Sequence, residues 1–170
     1  YRLAAIKYPK DKIKLCIIDD GSNDKTPQIL ENLNPKFSNL RVINRPRTSG
    51  GGKSGALNHA LKTLHGEWVF ILDADADFHD EILLRLIPFA LQGQWSAVQL
   101  RKAVVNSQNN FLTSSQAMEM AMDTVFQQGR QHIGGVVELR GNGALLNRYA
   151  LNQCGGFNEQ TVTDDLDLSF

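Results

Sequence analysis

The 170-residue chain is poor in cysteine and proline, carries no net charge and has no long apolar run. Its two cysteines, Cys16 and Cys154, stand far apart, which excludes a disulfide framework and a clustered thiolate zinc site. Cys16 lies inside an apolar run and is expected to be a small core residue. A reducing compartment is the default. The nearest approach to a membrane span, "ILLRLIPFAL", falls well short of the roughly 20 residues a bilayer requires and contains Arg85. No signal-peptide pattern is present. No basic cluster interleaves with aromatic residues, so nucleic acid is not an expected partner. The chain opens at Tyr1 rather than Met and ends at Phe170, both within helical patterns, so a piece of a longer protein is expected.

What is present fits an α/β domain with a real core: 42% hydrophobic and 21% charged residues. Charge is unevenly spread. Residues 1–53 hold 11 Lys/Arg against 5 Asp/Glu, and residues 54–170 hold 7 against 13. Two solvated faces of opposite sign would explain this; so would an anion site in the basic half and a metal site in the acidic half. Strands are expected at "KIKLCIID", "LRVIN", "EWVFILD" and "WSAVQLR". Helices are expected at "TPQILENL", with Thr26 as N-cap, at "SGALNHALKTL" and at "DEILLRLIPFAL". This β-α-β-α-β-α-β order predicts a mainly parallel sheet with helices on both faces, its ligand site lying beyond the carboxyl ends of the strands. Beyond Arg101 a long amphipathic helix is expected, with Met118, Met120 and Met122 used for packing. A β segment, a short helix and a "GGF" turn follow. Residues 1–170 are expected to form one domain.

"GGGKS" invites comparison with a phosphate-binding P-loop. That motif needs a glycine at position 47, where this chain has Arg47. A P-loop NTPase fragment therefore stands as the alternative. Without the motif name, Gly50, Gly51 and Gly52 permit close backbone approach, and Lys53 is a point charge suited to phosphate oxygens. A flexible surface loop would look the same.

"DADAD" places Asp73, Asp75 and Asp77 at alternating positions past a buried strand. In an extended segment they would share one side and would repel unless a hard divalent cation were shared between them. Asp19 and Asp20 end the first strand in a second acidic turn. Asp164, Asp165 and Asp167 in "TDDLDL" suit a helix start capped by Thr163, or a carboxylate poised as a general base.

In this order "DDGSND", "GGGKSGALN", "LDADAD", "GNGALLNR" and "GGFNEQTVTDDLDLSF" resemble the family 2 glycosyltransferases, most of all their membrane-embedded, cellulose-synthase-like branch. The resemblance implies the GT-A fold, lacking here the family's first strand, and an inverting transfer from a UDP-sugar to a saccharide or lipid hydroxyl. By resemblance, Asp19 and Asp20 would contact the nucleoside and Lys53 the nucleotide or its diphosphate. Asp73 and Asp75 would hold nucleotide and metal, Mg2+ or Mn2+. Gly141, Asn142 and Gly143 would line the acceptor side, and Gln99 would border the sugar pocket. Asp165 would be the base, with Asp164 where the family usually has Glu. The full-length chain would be membrane-embedded, with this domain at the cytoplasmic face. The Q-x-x-R-W segment of processive members does not appear. A non-catalytic nucleotide-binding domain is the remaining alternative.

Overall fold

The computed structural model describes residues 2–161 and 168. Strand β1 (Leu15–Asp19) pairs in parallel with β2 (Leu40–Asn44), from Leu15 opposite Leu40 to Asp19 opposite Asn44. Between them runs helix α1 (Thr26–Leu33), with Pro27 in its first turn. Thr26 is not its cap. Lys25 stands at the cap position, and the Asp24 carboxylate accepts from the Thr26 amide at 2.8 Å; hydrogen bonds from the Thr26 side chain and then its amide hold the Asp24 carboxyl below its usual range. Helix α2 (Gly52–Leu61) follows β2 and turns Ser54, Gly55, Ala56 and Ala60 inward.

The second sheet is built around a strand that arrives late. β3 (Trp68–Ile71) and β4 (Ala97–Gln99), joined through α3 (Ile82–Gln92), lie on either side of β5 (Ala144–Asn147). Both pair with it antiparallel, so β3 and β4 run in the same direction but do not touch. Parallel pairing among the described residues is thus confined to β1 and β2, which corrects the expectation of a mainly parallel sheet. The apolar "ALLN" reads alike in either direction, so its orientation was not legible. Helices do cover both faces. Alternate β5 residues diverge: Leu145 packs on Leu86 and Ala90 of α3, while Ala144 and Leu146 pack with Leu151 of α5 (Arg148–Gln153) and Phe157.

Two expectations about packing change. Cys16 is only half-buried; burial raises its thiol pKa, with Arg41 pulling the other way, and Cys154 is exposed. Helix α4 (Phe111–His132), closed by a reciprocal cap between Asn110 and Thr113, has no buried residue. Met118 and Met122 are about two-thirds exposed. The methionines therefore do not pack as expected, because no described element lies against that stripe. Arg140 of the segment before β5 fastens the helix through Asp123 at 2.7 Å. No helix among the described residues is long and apolar enough to cross a membrane.

Candidate active site

Both Ile71 of β3 and Gln99 of β4 stand opposite Ala144, the first residue of β5. The acidic turn after β3 and the "GNG" before β5 must therefore meet. They do: the Asp73 amide donates to the Asn142 side-chain oxygen at 3.1 Å, and the Gly143 amide donates to the Ile71 carbonyl at 2.8 Å. Gly141 and Gly143 have φ of 62° and 78°, the left-handed region that favours glycine. Gln99 locks this loop rather than standing free. Its amide nitrogen donates to the Asn142 carbonyl at 2.9 Å, and its oxygen accepts from the Arg140 amide at 2.7 Å.

The glycine-rich loop is held from beneath by Arg45, the residue after β2. Its side chain is only 6% exposed. One arm donates to Asp20 at 2.7 Å and the other to the Gly50 carbonyl at 2.7 Å, with the Gly52 carbonyl at 3.3 Å. Its backbone amide donates to the Asp19 carbonyl at 2.8 Å. The planar, forked guanidinium spreads these bonds over two nitrogens, an arrangement the single nitrogen of an ammonium does not offer. Asp19, buried beside it, accepts from the Ser22 amide at 3.2 Å and from the Ser22 hydroxyl. Gly21 lies against Arg47, where a Cβ would stand 2.7 Å from the Arg47 backbone. The first acidic turn and the glycine loop thus form one packed unit. Arg45 was missed in the sequence because it sits among many basic residues; its place at the end of a strand was the available clue.

Lys53, in the first turn of α2, reaches Asp73 at 2.6 Å. The pair joins the glycine loop to the second acidic turn, so the structure brings together Lys53, Asp73 and Asn142, with Gly141 and Gly143 in the same loop. Asp75 is exposed and makes no hydrogen bond or ion pair among the described residues. Asp77 departs from the expectation of a shared side. The chain turns at this point, with the Ala76 amide donating to the Asp73 carbonyl, and Asp77 pairs with Arg2 at 2.6 Å. No group of three or more metal-ligating side chains occurs among the described residues. Two carboxylates, Asp73 and Asp75, remain near the loop. That oxygen donor set suits a hard divalent ion that completes its shell with water and phosphate oxygens. Asp164, Asp165 and Asp167 lie outside the described residues.

Solved structures share this fold. The mannosyltransferase PcManGT from Pyrobaculum calidifontis, in complex with GDP-Man and Mn2+, matches with a TM-score of 0.71 at 24% identity, over 96% of this chain and 44% of that one. TarS 1-349 from S. aureus, in complex with UDP-GlcNAc, matches with a TM-score of 0.64 at 21% identity, over 98% of this chain and 46% of that one. The fold is GT-A-like. The model of glycosyl transferase family 2 matches residues 2–155, and the chain belongs to that family. It is 46% identical over 168 residues to the beta-monoglucosyldiacylglycerol synthase of Trichormus variabilis, covering 99% of this chain and 36% of that protein. It is 31% identical over 175 residues to glucomannan 4-beta-mannosyltransferase 2 of Arabidopsis thaliana, covering 96% and 32%. The chain thus spans about a third of the length of these relatives. Membership in this family leaves the P-loop reading without support.

Proposed function

We propose that residues 1–170 are one catalytic domain that moves a sugar, with inversion, from a UDP-sugar to the hydroxyl of a lipid or saccharide acceptor. The observation that carries this is the convergence of Asp20, Lys53, Asp73 and the "GNG" loop at the strand ends of a family 2 chain. Asp19 and Asp20 face the nucleoside. Lys53 faces the diphosphate. The Lys53–Asp73 pair is open to water on both sides, at 46% and 41% exposure, and such pairs contribute only about 0–1 kcal/mol. A diphosphate can therefore take Lys53 from Asp73 at little cost.

Asp73 and Asp75 would hold a divalent ion, Mg2+ or Mn2+, which supplies positive charge to the diphosphate. Asp165 accepts the proton of the acceptor hydroxyl as that oxygen bonds to the anomeric carbon. The bond from that carbon to the diphosphate breaks on the opposite side. UDP leaves with the electron pair, its growing charge met by Lys53. Gly141, Asn142 and Gly143 shape the acceptor side.

A lipid acceptor is favoured over a saccharide by the 46% identity to a beta-monoglucosyldiacylglycerol synthase. The acceptor would then be diacylglycerol and the sugar glucose, with the protein working at the cytoplasmic face of a membrane. The test supplies radiolabelled UDP-glucose and diacylglycerol vesicles to the full-length protein. Asp165→Asn should lower transfer about 10²- to 10⁴-fold while leaving UDP binding intact. Retained transfer would remove Asp165 as the base, and no labelled glycolipid from wild type would remove the lipid acceptor.

A further inference from the structure

Two stretches of the sequence play no part in the chemistry above: the asparagine of "GALN" and the segment "GGFNE". The structure joins them across about a hundred residues. Asn58 of α2 donates to the Phe157 carbonyl at 2.8 Å and to the Glu159 carboxylate at 2.8 Å. Its side-chain oxygen accepts from the Phe157 amide at 2.9 Å. One carboxamide thus grips both polar groups of Phe157 and spends its second N–H on Glu159, three of its four bonding positions.

The surroundings are shaped to this grip. Gly156 has φ of 86°, and a Cβ there would stand 2.8 Å from the Asn58 oxygen. Phe157, 6% exposed, belongs to the core cluster with Ile71, Leu146 and Leu151. The Glu159 carboxylate lies against the glycine loop, where a Cβ on Gly51 would stand 2.5 Å from it and one on Gly55 3.4 Å. The tighter limit at Gly55 is the Gly50 carbonyl, 2.9 Å from a Cβ there, and Gly51 has φ of 72°, the left-handed region that favours glycine.

We propose that Asn58 is a positioning residue. It fixes the segment Gly156–Glu159, six residues ahead of Asp165, in register with the helix that carries Lys53 in its first turn. Rate then depends on Asn58 although it touches no reacting atom. This inference rests on the proposed function, since it concerns the placing of the base against the leaving diphosphate.

The test uses the full-length protein and the isosteric Asn58→Asp. That variant keeps the shape and the acceptor for the Phe157 amide. It turns the donor into an oxygen facing the Phe157 carbonyl and the Glu159 carboxylate. We expect kcat for sugar transfer to fall about 10- to 100-fold, with UDP affinity held within about twofold. Exchange of the Phe157 amide should quicken. Adding Glu159→Gln supplies a donor opposite the introduced carboxylate and should recover part of the rate, a coupling that packing alone would not produce. Faster exchange with unchanged kcat would overturn the proposal. So would a fall in kcat without faster exchange, or one matched by an equal loss of UDP affinity. A wild-type protein that transfers no sugar would overturn the proposed function and this role with it, while Phe157 exchange would still report whether the grip exists.

Discussion

The two ion pairs flanking the glycine loop are almost equal in length and unlike in everything else. Arg45 meets Asp20 at 2.7 Å with its side chain 6% exposed, whereas Lys53 meets Asp73 at 2.6 Å with both partners over 40% exposed. A buried cation that loses its partner is costly, while an exposed one is rewetted by water. Arg45 also donates to two loop carbonyls, and Lys53 makes a single polar contact among the described residues. The first pair is part of the scaffold. The second is a resting arrangement that a ligand can replace. Distance alone would have ranked them equal.

Substitutions should separate them. Lys53→Ala is expected to weaken UDP binding about 10- to 100-fold, the loss of a hydrogen bond to a charged group. Its stability in urea should change by less than about 1 kcal/mol. Arg45→Met should behave in the opposite way, costing about 1–3 kcal/mol in the same urea titration through the unmet carbonyls of the loop. Equal stability losses in the two variants would erase the distinction. Asp20→Asn should cost less than Arg45→Met, because the guanidinium keeps its two carbonyls and the amide is partly in water.

A smaller effect lies away from the site. Arg130 at 2.6 Å holds the Glu138 carboxyl below its ordinary value of 4.5, with Arg140 adding to the pull. A depressed folded-state pKa means a contribution that is present above the ordinary value and lost as pH falls through the depressed one. The stability difference between wild type and Glu138→Gln should thus be constant from neutral pH down to about 4.5 and shrink below it. A difference that grows on acidification would contradict the assignment.

Much of this was legible along the chain because it is local. Strand β1 ends at Asp19 as "KIKLCIID" predicts, and α1 spans "TPQILENL" in full. Asp20, Lys53 and Asp73 stand out along the chain by residue type, and the structure shows which partners they meet, Arg45 for Asp20 and each other for Lys53 and Asp73. The rest was hidden by distance. Nothing around Asn58 announces a partner at Phe157, and an asparagine reads as polar surface. The place of β5 between β3 and β4 depends on where the chain returns after α4, which period and propensity do not encode. Asp77 misled because the alternation of "DADAD" suggests an extended run, and the backbone turns instead. The exposed methionine stripe of α4 misled for a related reason, since amphipathic spacing predicts a buried face without supplying what covers it.

The central claim is that the Lys53–Asp73 region receives a metal-bound nucleoside diphosphate. Titration calorimetry with UDP in the presence of Mn2+ tests it most directly, on wild type, Asp75→Ala and Asp77→Ala. Wild type and Asp77→Ala should bind alike, since Asp77 is held by Arg2, and Asp75→Ala should lose the binding that depends on Mn2+. A folded wild-type protein that takes up no UDP, or an Asp75→Ala variant that binds as wild type does, would contradict the account.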